Sequence, residues 1–385
     1  MSPTLHIIRR VALLVSPFVL SACTLIEDFY SSGREHDERP PVVPLEARPV
    51  EDPISRNYFV LESPEQSVIG SPQIVYASDE DTLSDLAREY GLGYDEIVAA
   101  NPDVDPWLPG EGTPVLLPTQ YVIPDVPREG IVLNIASKRL FYFPAMEEGR
   151  PQTVMTYPIG IGRVGWETPL GETQVVSKAV DPHWYVPASV RQEHAEAGNP
   201  LPSVVPPGPD NPLGNRVLKL DMPGYLIHGT NQPYGVGMRV SHGCVRLYPE
   251  NIELLYDLVE VGNPVLIINE PFLLGRVNGE LYVEAHEPLE DDPVAPEERI
   301  EALFIDSELG ATLKRQDADH VRSIASNANG VATLISYHDA DEVFARASLV
   351  RNTVEPNPEE PTLTEVREMI EEVMAEEPLD EEKDL

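Results

Sequence analysis

Ile227-His228-Gly229-Thr230 and Ser241-His242-Gly243-Cys244-Val245-Arg246 gather a thiol, two imidazoles, two hydroxyls, an arginine and glycines within one short span of the chain. A cysteine thiol with a pKa of ~8.5 is mostly protonated at neutral pH, and an adjacent imidazolium or guanidinium shifts it toward the thiolate that attacks carbonyls. His228, His242 and Arg246 are placed to supply that field. Gly243 permits close backbone approach, so amides near Cys244 can form an oxyanion hole for a tetrahedral intermediate. This combination suits acyl transfer through a thioester. Two other readings use the same residues. His228, His242 and Cys244 are possible zinc ligands, although no second cysteine or carboxylate stands at the usual ligand spacing and His-Gly-Cys is tight for two ligands. A buried structural cysteine is the other, and it leaves the histidines and the arginine in glycine-rich loops unexplained.

Around this centre the text from Gly130 onward is strand-like. Ile131-Val132-Leu133-Asn134-Ile135, Arg139-Leu140-Phe141-Tyr142-Phe143, Thr173-Gln174-Val175-Val176, Val217-Leu218-Lys219-Leu220 and Pro264-Val265-Leu266-Ile267-Ile268 are separated by turn residues. Such short apolar runs predict a mainly β body of the sandwich or barrel-like kind. A single good helix is expected over 251–261, where Ile252, Leu255, Leu258 and Val259 keep helical register. Gly160-Ile161-Gly162-Arg163-Val164-Gly165 satisfies the dinucleotide pattern G-x-G-x-x-G, but Pro169 and Gly171 follow it and would break the helix that pattern must open. These glycines read as a turn or a loop close to substrate.

His228 followed by Ser241-His242-Gly243-Cys244 and Arg246 resembles the active-site motif of the L,D-transpeptidase (YkuD-type) family. The likeness runs from Ile131 to Asn269 through Tyr157-Pro158-Ile159-Gly160-Ile161-Gly162, Glu167-Thr168-Pro169-Leu170-Gly171 and Pro206-Pro207-Gly208-Pro209-Asp210-Asn211-Pro212-Leu213-Gly214. It implies a catalytic domain over 128–272. It also implies that Cys244 attacks the carbonyl of the L-centre of meso-diaminopimelate in a peptidoglycan tetrapeptide stem and expels D-alanine. His228 would be the general acid/base. His242, Ser241 and Gly243 would shape the pocket and oxyanion site, and Arg246 would stabilise the site or a substrate carboxylate. No cofactor and no metal are implied. A second diaminopimelate as acceptor gives a 3-3 cross-link, the C-terminal lysine of an outer-membrane lipoprotein gives an anchor, and water gives carboxypeptidase or amidase hydrolysis. A catalytically inactive glycan-binding lipoprotein is the competing reading. His183, Trp184 and His194 lie in the pocket-forming span without a derivable role.

The 385 residues carry 27 Lys+Arg against 65 Asp+Glu, a net charge of −38, with 40 Pro and 2 Cys. A surface this acidic repels phosphate backbones, which argues against nucleic-acid partners. The proline content predicts extended linkers and excludes a helical bundle. Arg9-Arg10 followed by Val11 to Leu20 has the charged and apolar regions of an export signal and is too short to span a bilayer. Leu20-Ser21-Ala22-Cys23 resembles a bacterial lipobox, which implies a signal peptide over 1–22, lipidation of Cys23 and a membrane anchor facing the periplasm. Thr24 after the cysteine favours the outer membrane. Pro40, Pro41, Pro44, Pro49 and Pro53 mark a tether over 23–57. Over 72–120 the order strand, helix, helix, strand is expected, with a capping box at Thr82-Leu83-Ser84-Asp85 and a stop at Gly91. This stretch resembles a LysM module, a family that binds N-acetylglucosamine-containing glycan strands, although Glu80-Asp81-Thr82 replaces its usual Gly-Asp-Thr turn. An acidic extension follows over 288–385, read as an α/β appendage or partly disordered, with a helix around Val321 and Ile324, a strand at Val331 to Ile335 and another helix over 339–348. Its last part carries an amphipathic pattern from Leu363 to Met374.

Overall fold

The computed structural model describes residues 43–54, 57–146, 149–306, 309–313, 315–337 and 341–355. The export signal, Cys23, much of the tether and the 363–374 pattern lie outside the described residues. No helix among the described residues is long and apolar enough to cross a membrane.

A nine-stranded sheet forms the centre, in the order Tyr58–Val60, Thr153–Pro158, Arg139–Phe143, Gly130–Asn134, Pro264–Ile268, Gly171–Val180, Arg216–Leu220, Leu226–His228 and Val245–Arg246. Gly130–Asn134 and Arg139–Phe143 are buried at every position, so both faces of the sheet are covered. Successive side chains of a strand point to opposite faces. Accordingly Val132, Phe141 and Phe143 join one apolar core, while Ile131, Leu133, Leu140 and Tyr142 join another. The second core is closed by the helix Pro249–Leu258 through Ile252 and Leu255. The helix begins at Pro249, a position where proline costs no hydrogen bond, and ends at Leu258, short of the expected 261.

The first core is closed by the stretch over 72–120. Gln73–Tyr76 pairs antiparallel with Pro114–Leu117, and the helices Leu83–Glu89 and Tyr94–Ala100 lie between them in sequence. Thr82 caps the first helix: its hydroxyl accepts from the Asp85 amide at 3.1 Å, and the Asp85 carboxylate accepts from the Thr82 amide at 2.9 Å. Leu83, Leu86, Leu92, Ile97, Val115 and Leu117 then meet Val132, Phe141 and Phe143 of the central sheet. At the same junction Arg139 is 1 % exposed, pairs with Glu96 at 2.5 Å and lies 3.9 Å from the Tyr121 ring centre. The stretch is therefore packed onto the central sheet through a shared core. Strands apolar on both faces need a cover on each side, and this stretch supplies one.

The C-terminal part also joins the body. Thr333–Leu334 pairs with Glu280–Ala285, and Ser348–Val350 adds a parallel strand beside Gln73–Tyr76. Helices occupy Pro296–Asp306, Arg315–Asn327 and Asp341–Arg346. The acidic segment near 290 is held by charge pairs and hydrogen bonds: Asp291 pairs with Arg239 at 2.6 Å, and Asp292 with Arg299 and Asn269, each at 2.9 Å.

Candidate active site

The site is built on one edge of the central sheet. Leu226–His228 runs parallel to Val245–Arg246, with Ile227 opposite Val245 and His228 opposite Arg246. Continuing that register by one residue sets Cys244 against Leu226. Period-2 alternation then puts Cys244, Arg246 and His228 on one face, with Cys244 and His228 as diagonal neighbours, within reach of side chains of this length. The Cys244 thiol donates to the Gly224 carbonyl at 3.6 Å.

His228 is 3 % exposed, and its Nδ1 lies 2.6 Å from the Gly229 carbonyl oxygen. A carbonyl only accepts, so Nδ1 carries the proton and Nε2 presents its lone pair. Burial, reinforced by the Arg246 charge and opposed by the Gly229 hydrogen bond, pushes the imidazole down to about 3. Burial also raises the Cys244 thiol above its ordinary value, against the lowering effects of the Leu226 amide and Arg246. The resting pair is thus neutral thiol and neutral imidazole. This corrects the expectation of a thiolate drawn out by neighbouring positive charge: Arg246 acts in that direction, but desolvation of both groups outweighs it.

The loop carrying the cysteine is held by its carbonyls. The Ser241 hydroxyl donates to the Cys244 carbonyl at 2.5 Å, the Thr168 hydroxyl to the Gly243 carbonyl at 3.0 Å, and the Arg163 amide to the Ser241 carbonyl at 3.0 Å. Among the described residues, the amides of Gly243 and Cys244 donate to no protein acceptor, which leaves them available to an oxyanion. Gly243 adopts φ +96°, and a Cβ there would lie 2.9 Å from Tyr225 Cε1. Only glycine fits that turn without strain.

Gly162 serves the same loop. The strand Ile161–Gly162 pairs with Arg239–Ser241 and leads into a turn. A Cβ on Gly162 would stand 2.9 Å from the Gly243 Cα, so this glycine of the G-x-G-x-x-G stretch permits contact with the loop that carries Cys244.

His242 faces a different set of partners. Its Nε2 lies 2.8 Å from Glu193 Oε2 and 3.4 Å from Arg163 Nη2, and the Trp166 ring meets it edge-on at 4.8 Å. Burial lowers the His242 pKa, partly offset by the Glu193 hydrogen bond. Arg163 also pairs with Glu193, and the His194 ring lies 6.0 Å from that of His242. The sequence reading missed Glu193, Arg163, Trp166 and Thr168 as site neighbours. Arg163 and Thr168 sat inside quoted motif stretches and Trp166 between those stretches, whereas Glu193 belongs to the polar helix Ala188–Glu196, which carries no local signal. Among the described residues, no three His, Cys, Asp or Glu side chains come together to hold a metal ion.

The family model of the L,D-transpeptidase catalytic domain, YkuD, matches residues 128–267. The chain is 40 % identical over 251 residues to the probable L,D-transpeptidase YcfS of Escherichia coli K12, spanning 63 % of this chain and 77 % of that protein. The chain belongs to the L,D-transpeptidase family. This L,D-transpeptidase is also 42 % identical over 226 residues to the probable L,D-transpeptidase YbiS of the same strain, across 58 % of this chain and 72 % of that one. Among solved structures, the catalytic domain of the Enterococcus faecium L,D-transpeptidase is 23 % identical, with a TM-score of 0.28, over 37 % of this chain and 99 % of that chain. The protein is an enzyme, with L,D-transpeptidation as its activity and a mainly β catalytic fold.

Proposed function

We propose that this L,D-transpeptidase, which acts on peptidoglycan stem peptides, uses Cys244 as nucleophile and His228 as general acid/base. The observation that carries the assignment is the parallel pairing of Leu226–His228 with Val245–Arg246, which sets the thiol and the imidazole on one face beside two unengaged amides. As Sγ attacks the carbonyl carbon preceding D-alanine, its proton passes to His228 Nε2 and the carbonyl oxygen becomes an oxyanion facing the Gly243 and Cys244 amides. Collapse breaks the amide bond, and the His228 proton leaves on the D-alanine nitrogen. An acceptor amine then attacks the thioester and gives a proton to His228, which returns it to the departing sulfur. The resting pair is neutral, so the thiolate forms only as attack proceeds. Ser241 holds the Cys244 carbonyl, and Arg246 keeps His228 from taking a proton too early.

The acceptor is a second diaminopimelate, giving a 3-3 cross-link, or the terminal lysine of an outer-membrane lipoprotein. We assign the stretch over 72–120 to glycan binding as a LysM module, and Cys23 to lipid attachment at the outer membrane with the body in the periplasm. The likeness of sequence supports both. A glycan held on a stretch packed against the catalytic sheet raises the local concentration of stem peptides at Cys244.

Mass spectrometry of tetrapeptide incubated with the protein, with and without each amine acceptor and beside Cys244→Ala, tests the proposal. Loss of D-alanine with an amine-dependent joined product, absent in the variant, is the expected result. Tripeptide alone would establish hydrolysis, and release that survives Cys244→Ala would overturn the nucleophile assignment.

A further inference from the structure

Arg163 is a buried cation whose charge partner comes from a helix with little buried surface. The arginine is 6 % exposed, and its own backbone amide is fixed to the Ser241 carbonyl at 3.0 Å, so it moves with the nucleophile loop. Its partner Glu193 is 35 % exposed in its side chain and sits on Ala188–Glu196, a helix with one buried residue, Val190, and no side-chain cap at its N-terminus. An element with so little buried apolar surface belongs to the low-stability end of a fold and opens readily. Glu193 further bridges to His242 Nε2 at 2.8 Å, two residues before Cys244. A carboxylate on a loosely held helix thus rests against an arginine that belongs to the rigid active-site frame.

The donor stem is itself a polycarboxylate, with a terminal D-alanyl carboxylate and a free diaminopimelate side-chain carboxylate. We infer that Arg163 is the receptor for the terminal D-alanyl carboxylate or the diaminopimelate side-chain carboxylate of the donor stem, and that Glu193 occupies it in the resting enzyme until the stem exchanges with it. The inference rests on the reading of Cys244 as nucleophile. Exchanging one carboxylate for another keeps an anion against the buried guanidinium throughout the swap. A neutral or amidated peptide brings no carboxylate to replace Glu193, which turns the Glu193 latch into a selectivity device for anionic stems. Glu193 acts here as a positioning residue. It holds His242 and Arg163 together and yields its place.

The test compares the wild type, Arg163→Ala, Arg163→Lys and Glu193→Gln on three tetrapeptides. One has both carboxylates free, one ends in D-alaninamide, and one carries the diaminopimelate carboxamide. D-alanine or D-alaninamide release is the readout, and alkylation of Cys244 by iodoacetamide reports an intact nucleophile loop. Arg163→Ala is expected to lower kcat/KM for the free-acid peptide by about 10- to 100-fold, the value of a charge-assisted hydrogen bond. The same variant should barely change the rate on the peptide lacking the recognised carboxylate, and the arm that loses its sensitivity names that carboxylate. Arg163→Lys should fall between. Glu193→Gln, which removes the competing charge, should lower KM for the free acid. Equal losses on all three peptides in Arg163→Ala, or a raised KM in Glu193→Gln, would overturn the inference. Release that survives Cys244→Ala would instead overturn the underlying nucleophile assignment, so the two failures are distinguishable.

Discussion

Lowering the pH from 7 to 5 tests whether His228 is neutral in the folded enzyme. The imidazole is held at about 3 in the native state, against 6.5 for an ordinary histidine. Between those values the unfolded chain binds a proton at this position and the native chain does not, so stability rises with pH across the window. His228 therefore contributes its full stability above about 6.5, and the contribution fades as pH falls toward 3. At about 1.4 kcal/mol for each pH unit below the unfolded pKa, the loss by pH 5 is about 2 kcal/mol, a large fraction of the stability of most domains. His228→Asn is the control, because its side-chain amide can still donate to the Gly229 carbonyl but does not titrate. Urea unfolding followed by tryptophan fluorescence at pH 7, 6 and 5 gives two stability curves, and the contribution of every other titrating group cancels in their difference. The wild type should lose about 2 kcal/mol more than His228→Asn over this range. Parallel curves would refute the reasoning. They would mean that the native site binds the proton as readily as the unfolded chain.

Alkylation of Cys244 by iodoacetamide, followed against pH, should show a midpoint above the ordinary thiol range, because burial outweighs the Leu226 amide and Arg246; a midpoint near neutrality would contradict that balance. Gly243→Ala forces a Cβ to within 2.9 Å of Tyr225 Cε1 at φ +96°. With backbone strain of about 1–3 kcal/mol at the loop that presents the amides, kcat/KM should fall by about 10- to 100-fold, and retention of wild-type rates would show the loop to be tolerant. Glu96→Gln leaves the Arg139 guanidinium, 1 % exposed in its side chain, without its charge partner. Thermal and denaturant unfolding should register a loss of about 3–5 kcal/mol, and a change below about 1 kcal/mol, the level of an exposed pair, would show that the interior at this junction admits water.

The sequence alone was enough to single out the candidate chemical centre. His228, Ser241, His242, Gly243, Cys244 and Arg246 occupy two short segments, and side-chain types suited to acyl transfer are recognisable there by type and spacing. The local elements were legible for the same reason. The capping box at Thr82 and the apolar runs of Gly130–Asn134 and Arg139–Phe143 are set by interactions over a few residues. Tertiary structure alone decided three things. The first is the packing of the stretch over 72–120 onto the central sheet, where Leu86 and Ile97 meet Phe141 across long sequence separations. The second is the pairing of Ser348–Val350 with Gln73–Val75, a parallel contact between distant parts of the chain that no local pattern encodes. The third is the charge state of the site. Arg246 beside His228 and Cys244 is visible in the text and argues for a thiolate, but the depth of burial that reverses the argument is not. Glu193 became part of the site in the same way, because a polar helix gives no sign of what it covers until the fold sets it against Arg163 and His242. Residue type and spacing carry the reactive groups. Desolvation and non-local pairing, which set the energies of those groups, exist only once the chain has closed on itself.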